Sequence, residues 1–477
     1  MHTSESLSST SECSVAFQTS QGLEIAATAL RLTRHQVVFE AYAPNLVLQM
    51  SEVLSDFKIR FGERIVYAGR AVVSSLINAG TTLICEAALE DSWLDVDLSL
   101  AAKEKGALRT QFNEFFQKWQ QTYKILPEYK VIIADMQSFL MDLRLWAEQL
   151  ELGIRSSPSG DRMELEQEII EEVSPPILAA IDFFFEKFEG IAEIIEPAAR
   201  PVHAAFMKRQ LHSYVLCSPF AYRTFSKPLG YAGDYEMVNM IVRRPYEGSS
   251  LFAKIVNLWF IRQPPAEAHR QRLDYLEQKE LEETARVVGE ARTARIFSVA
   301  CGPAIEVQRF LIEKDVSNRA EFTLLDFNEE TLQHVMCALS AIKTKHGRTT
   351  SFQFVKRSVH QILKESAKTV ERSASQQYDL VYCAGLFDYL SDQVCQRLSN
   401  VLYSWLAPGG LFLATNVAPH NPLRNGMEHL LDWNLVYRNA LQVQSISPRE
   451  AVPDRVVVRS ESTGLNLFLE VRKPKDV

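Results

Sequence analysis

The chain has 477 residues, 47% of them hydrophobic and 23% charged, with a formal net charge of -8. At roughly 150 residues per domain this length implies about three domains, and the composition is that of a globular chain, which excludes disordered and fibrous classes. The negative charge gives no general attraction to phosphate backbones, and no local basic patch offsets it, so nucleic acid is not an expected partner. The seven cysteines (13, 85, 217, 301, 337, 383 and 395) are scattered, with no C-x-x-C pair. Neither a metal site nor a redox dithiol is expected, and reduced thiols fit a cytoplasmic protein. Residues 1–20 open with the Ser/Thr-rich MHTSESLSSTSECS, which lacks the basic and apolar regions of a secretory leader and predicts a disordered tail. The longest apolar runs, such as 406–417, contain Pro and Gly and fall short of the ~20 residues of a membrane span.

Residues 21–102 alternate short β-like runs, HQVVFEAY, DFKIRF, ERIVYAGRAVVSSLIN and TTLICEAAL, with turn residues, which predicts a small β-barrel. This layout resembles the PilZ-type barrels, modules that bind cyclic di-GMP through an Arg-x-x-x-Arg stretch and an Asp/Asn-x-Ser-x-x-Gly turn. Arg31 and Arg34 do not have the spacing of the first motif, and the second has no counterpart. The expectation is a barrel that serves as a docking or dimer surface.

Residues 103–210 change to a helical period. NEFFQKWQQTYKIL, YKVIIADMQSFLMDLRLWAEQLE and ILAAIDFFFEKFEGIAEIIE place apolar residues at i, i+3, i+4 and i+7, so helices with one buried face are predicted. RSSPSGDRMELEQE between two of them reads as an exposed loop leading into a capped helix. Residues 211–293 are less regular and mix aromatic, Gly and charged residues.

From residue 294 to 477 strands and helices alternate. RIFSVAC, EFTLLDF, SFQFVKRSV, YDLVYCAG and GGLFLATNV are separated by helical stretches, which predicts a parallel sheet covered on both faces. DRVVVRSES and GLNLFLEVRKP read as a terminal antiparallel hairpin. The first strand runs into a small-residue turn, Ala300-Cys301-Gly302-Pro303-Ala304, and then a helix beginning near Glu306, where a ligand could approach the backbone. The second strand ends in Leu325-Asp326-Phe327, which sets a carboxylate beside that turn where it could accept hydrogen bonds from both ribose hydroxyls of an adenosine.

These features resemble the class I S-adenosylmethionine-dependent methyltransferases: an α/β, Rossmann-like domain of seven strands, preceded here by the helical region and the PilZ-like barrel. A dinucleotide dehydrogenase shares the strand, turn and Asp layout, but the LAPGG turn and terminal hairpin favour the methyltransferase. The resemblance implies S-adenosyl-L-methionine as cofactor, held by Ala300, Cys301, Gly302, Pro303, Ala304, Glu306, Asp326, Phe327, Ser358, Val359, Cys383, Gly385 and Asp388. Ser298 stands where the family usually has the acid that anchors the methionine ammonium, and Ala300 and Ala304 stand where glycines are commonest. Asp388 or Asp234 could supply the missing charge.

The segments KPLGYAGDYEMVNMI, LWFIRQPPAEAHRQR, VACGPAIEV, GLFDYL and MEHLLDWNLVYR resemble more closely the bacterial family of 3-hydroxypalmitate methyl ester synthases, over residues 200–477. That implies a fatty-acid-like carboxylate as acceptor, which is already ionised at neutral pH and needs no base. The absence of an Asn/Asp-Pro-Pro-Tyr/Phe motif after strand four agrees. Residues 211–293 would then form a lid and substrate segment, with Gly230, Gly233, Tyr231 and Tyr235 supplying hinges and aromatic walls. Candidate substrate contacts are Tyr231, Tyr235, Arg270 or its neighbour Arg272, and Arg438, an arginine being suited to grip a carboxylate. A regulator that only binds the cofactor, and a small-molecule N- or O-methyltransferase, are the alternatives. The helical middle offers surfaces for a homodimer.

Overall fold

Strict alternation organises the first part of the chain. In β6 (Leu83–Leu89) every second residue is buried, Leu83, Cys85, Ala87 and Leu89, so one face of the strand is core. With β1 (Cys13–Gln18), β2 (Glu24–Leu32), β3 (Gln36–Ala41), β4 (Val53–Phe61) and β5 (Arg64–Asn78) it closes into a six-stranded antiparallel barrel, ordered β1-β2-β3-β6-β5-β4. Phe17, Phe39, Phe57 and Tyr67 fill the interior, with ring centroids 5.2 to 6.2 Å apart. Strand β1 lies inside the stretch expected to be a tail (1–20), and its Val15 and Phe17 are core residues. The computed structural model describes residues 13–41, 47–61, 64–78, 83–90, 125–156, 162–243, 246–366 and 377–475, and the single positions 109 and 113. Most of the expected helix NEFFQKWQQTYKIL, the tip of the RSSPSG loop and the first residues of the tail lie outside the described residues.

Among the described residues, seven α-helices follow: α1 (Pro127–Ser156), α2 (Arg162–Glu193), α3 (Arg200–Val215), α4 (Pro219–Ser226), α5 (Tyr235–Val242), α6 (Leu251–Arg262) and α7 (Pro264–Gly289). In α1, Tyr129, Ile132, Ile133, Met136, Leu140 and Leu143 recur at helical spacing and are buried. They share one core with Phe185 and Phe188 of α2, Met207 of α3 and Trp259 of α6. That continuous core crosses residue 210, so the irregular look of 211–293 reflects short helices rather than a loop region.

The C-terminal sheet is as expected. β7 (Ala294–Val299), β8 (Ala320–Asp326), β9 (Ser351–Lys356), β10 (Tyr378–Cys383) and β11 (Leu406–Val417) are parallel, and β12 (Val456–Ser460) and β13 (Asn466–Arg472) form the antiparallel hairpin. The order is β12-β13-β11-β10-β7-β8-β9, with β13 antiparallel to β11. This reversed seventh strand between the fifth and sixth is the arrangement of the class I methyltransferase fold. Helices α8 (Ile305–Glu313), α9 (Glu329–His346), α10 (Val359–Ser366) and α11 (Asp392–Ser404) cross between the strands. After β11 the chain forms α12 (Arg424–Leu431) and α13 (Ala440–Ser445). Helix α12 plugs into the helical core: Leu430 and Leu431 join it, and Glu189 of α2 accepts hydrogen bonds from Asn425 N at 3.0 Å and Gly426 N at 2.7 Å.

The barrel is fastened to this body. Met50 N donates to Tyr389 O at 2.9 Å, Val53 N to Gly230 O at 2.7 Å, and Arg70 to the carbonyls of Phe225 and Ser226. Gly230 has φ +90°, and a Cβ there would lie 2.6 Å from the Ser20 Cβ of the barrel. Gly230→Ala is therefore expected to destabilise the protein by ~1–3 kcal/mol through backbone strain and that clash, measurable by denaturant unfolding.

Candidate functional site

The site forms at the carboxyl ends of β7, β8 and β10. Where β7 ends, Ala300, Gly302 and Ala304 adopt left-handed conformations with φ of 53°, 53° and 50°. Two alanines in that region hold strained backbone, which persists where the surroundings over-determine it. Beyond Gly302 the space is open, with no atom within 4 Å of an added Cβ. Asp326, at the end of β8, braces the turn: its Oδ2 accepts from Gly302 N at 3.3 Å and its Oδ1 from Asn328 N at 2.9 Å.

One cavity runs from this turn into the helical body. Its cofactor-side lining is Ala300, Cys301, Gly302, Pro303, Glu306, Asp326, Phe327, Val359, Gly385 and Asp388. Of the residues proposed from sequence, Ala304, Ser358 and Cys383 do not line it: Ala304 precedes α8, the Ser358 hydroxyl accepts from Gln361 N, and Cys383 packs in the sheet core. The other end of the cavity is apolar, walled by Phe185, Phe220, Ile241, Trp259, Phe260, Leu430 and Leu431. The barrel contributes Gln21 and Gln49, which flank the strand start where buried Glu52 accepts from Ser20 N at 2.9 Å and Gln49 N at 2.8 Å.

Tyr231 and Tyr235 line the cavity. The Tyr231 ring lies 5.5 Å from that of Phe327, and the Tyr235 hydroxyl donates to Glu330 at 2.8 Å. Arg270 and Arg438 do not line it. Arg270 is spent on Glu267 and on the carbonyls of Ile241 and Ile261, and Arg438 is wholly buried against the loop after β10. Asp234 is likewise spent: it caps α5, accepting from Glu236 N and Met237 N, and pairs with Arg223 at 2.8 Å. It is not a cavity residue; Asp388 is one, and its Oδ1 accepts from Val417 N at 2.7 Å, which ties it to the end of β11.

Sequence reading missed an acidic cluster under the turn. Tyr382 Oη lies 2.9 Å from Glu280 Oε1 and 2.7 Å from Glu306 Oε1, and Ser298 hydrogen-bonds to the same hydroxyl. A hydroxyl carries one proton, so it can donate to only one of the two carboxyls. Glu280 is completely buried, its Oε2 has no partner, and burial followed by repulsion from Glu306 pushes it well above the usual carboxylate range. Burial raises Glu306 as well, but the Tyr382 hydroxyl and the Arg272 charge oppose it, so of the two carboxyls Glu306 is the more easily ionised.

Burial pushes both Asp326 and Asp388 up to about 6. Because their folded pKa is raised, ionisation costs stability: the contribution is full below about 4 and is lost as pH rises through about 6. A ligand that uses the ionised carboxylates has the opposite dependence. S-Adenosylhomocysteine affinity is expected to be flat at pH 7 to 8 and to fall about tenfold per unit below 6 for each carboxylate engaged, as titration calorimetry across pH would measure.

The chain matches no known family profile and no curated protein in sequence. Among solved structures it is similar to a "possible exported protein" from Bordetella parapertussis, at 16% identity and TM-score 0.40, over 53% of this chain and 86% of that one. Magnesium protoporphyrin IX methyltransferase from Synechocystis PCC 6803, with S-adenosylhomocysteine bound, matches at 13% identity and TM-score 0.29 over 44% and 84%. The N-methyltransferase NodS from Bradyrhizobium japonicum WM9, in complex with S-adenosyl-L-homocysteine, matches at 12% identity and TM-score 0.30 over 50% and 98%. Strand order and direction define the fold. Among the described residues, no helix is long and apolar enough to cross a membrane.

Proposed function

We propose that this protein is an S-adenosylmethionine-dependent methyltransferase acting on the carboxylate of a fatty-acid-like acceptor, such as a 3-hydroxy acid. The observation that carries it is the single cavity joining Gly302 and Asp326 to the apolar chamber of Phe185, Phe220, Trp259 and Leu430. The residues present fit the cofactor: an open, left-handed turn for close backbone approach, a carboxylate beside it for the ribose hydroxyls, and Phe327 and Val359 as apolar walls. When bound, S-adenosylmethionine supplies an electrophilic methyl group on its sulfonium. The chain's part is to align the acceptor and keep the chamber dry, since an ionised carboxylate needs no proton removed.

The barrel, in this reading, is a wall of the site. It brings Gln21 and Gln49 to the cavity, while Arg31, one of the two arginines set against the PilZ motif, is paired with Glu86 at 3.3 Å.

Full-length protein incubated with methyl-labelled S-adenosylmethionine and free 3-hydroxy fatty acids should yield a labelled methyl ester by mass spectrometry, whereas the thioester-linked acids, which have no carboxylate oxygen to methylate, should not. Cofactor binding with no labelled lipid would eliminate the acyl acceptor and favour a regulator or a small-molecule N- or O-methyltransferase.

A further inference from the structure

Two arginines line the cavity among the described residues. Arg357 is half exposed and pairs with Glu365 at 2.8 Å. Arg272 is different: it is 8% exposed, and its guanidinium donates only to the ring of His269, at 2.8 Å from Nδ1. No carboxylate among the described residues comes within ion-pair distance of it. It fills the space over Gly385, where an added Cβ would sit 3.1 Å from Nη1, so the loop after β10 is shaped around the guanidinium. Asp388 and Glu306 on the same cavity act on it through space without a direct ion pair, and an anionic group on a ligand would give the buried guanidinium the hydrogen-bonded partner it otherwise goes without. An arginine suits a carboxylate because its planar fork matches the two oxygens.

Glu306 faces the same cavity and is 4% exposed. Through Tyr382 it belongs to the cluster that contains Ser298, the position where an acid was expected. The acid on this cavity is thus displaced from the strand to the first turn of α8. A buried guanidinium and a buried carboxyl on one cavity fit the two ends of an amino acid.

We propose that Arg272 and Glu306 hold the amino-acid end of S-adenosylmethionine, Arg272 taking the α-carboxylate and Glu306 the α-ammonium. This rests on the methyltransferase reading given above. Both side chains are positioning residues; neither exchanges a proton with the acceptor. A second source of the same chemistry exists for Arg272, the carboxylate of the acceptor, and the test separates the two.

The test is titration calorimetry of the full-length protein and its Arg272→Met and Glu306→Gln variants with two probes. S-Adenosylhomocysteine carries the amino-acid end; 5′-methylthioadenosine has the same adenosine and sulfur without it. Each variant is expected to bind S-adenosylhomocysteine on the order of a hundredfold more weakly and methylthioadenosine within about twofold of the unsubstituted protein. Unchanged methylthioadenosine binding also certifies that the variant is folded. Equal losses for both probes overturn the assignment, because they indicate a disturbed site. Unchanged S-adenosylhomocysteine binding with a raised acceptor KM in Arg272→Met also overturns it, giving the guanidinium to the acceptor. If the unsubstituted protein binds neither probe, the methyltransferase reading itself fails, an outcome visible before any variant is made.

Discussion

Asp326→Ala is expected to lose at least a hundredfold in S-adenosylhomocysteine affinity while unfolding at the same temperature as the unsubstituted protein or a higher one. The two halves of this result have one cause. Asp326 is 3% exposed and ends β8 with only backbone N–H partners, so its charge is carried at a cost, which is why its pKa is pushed up to about 6. Hydrogen bonds from two hydroxyls to an ionised carboxylate contribute about 1.5–3 kcal/mol each, and both are lost with the side chain. At pH 8 the free protein is relieved of an unpaired buried charge when Asp326 is removed. The loss of the bonds from Gly302 N and Asn328 N offsets part of that relief. Calorimetry and a thermal melt on one preparation measure both quantities. A variant that binds normally would mean that the turn, not the acid, supplies recognition; a collapse in melting temperature would make Asp326 a structural brace. Turnover should disappear with binding in an enzyme. A protein that has no turnover before substitution is instead the regulator.

The C-terminal half was legible because its signals are local. Strands such as Tyr378–Cys383 are buried along their whole length and appear as continuous apolar runs, and the turn at 300–304 and the acid at 326 lie at strand ends. Helix α6 was hidden for the opposite reason. Leu251, Phe252, Ala253, Ile255, Val256, Leu258, Trp259 and Ile261 are all buried, so LFAKIVNLWFIR has no polar face for a period to reveal. Strand β2 was missed because it is half exposed: EIAATALRL alternates small and polar residues with little apolar weight.

The site divides in the same way. Arg270 and Arg272 sit two residues apart, hence on different faces of α7, and nothing local says which faces the sheet. Arg272, Leu276 and Glu280 lie at i, i+4 and i+8 and are all buried, so an acid and a base on the apolar stripe of α7 was the available clue to the cluster under the turn. Gln21 and Gln49 had no clue at all. They reach the cavity through the docking of a barrel more than two hundred residues upstream of the nucleotide turn, a contact that no spacing encodes.

Arg438 makes the point energetically, and its substitution should give the largest loss of stability expected here. Its position after Trp433 and Tyr437 suggested a substrate contact, yet the side chain is 1% exposed and all of its reach is spent inside the protein. Nη1 donates to Phe387 O at 2.8 Å and to Asn416 Oδ1, Nη2 to Leu390 O at 2.6 Å, and Nε to Asp392 at 2.8 Å. The guanidinium thereby staples the loop carrying Asp388 and Tyr389 to the end of β11. Arg438→Met keeps the volume but leaves the Phe387 and Leu390 carbonyls buried and unpaired, and should cost about 3–5 kcal/mol of unfolding free energy. Arg438→Lys keeps the charge but lacks the fork that serves several acceptors at once, so it should recover only part of the loss. Denaturant unfolding of the two variants decides the matter. If Arg438→Met is as stable as the unsubstituted protein to within about 1 kcal/mol and instead raises the acceptor KM, the staple is dispensable and Arg438 returns to the substrate role its sequence position suggested.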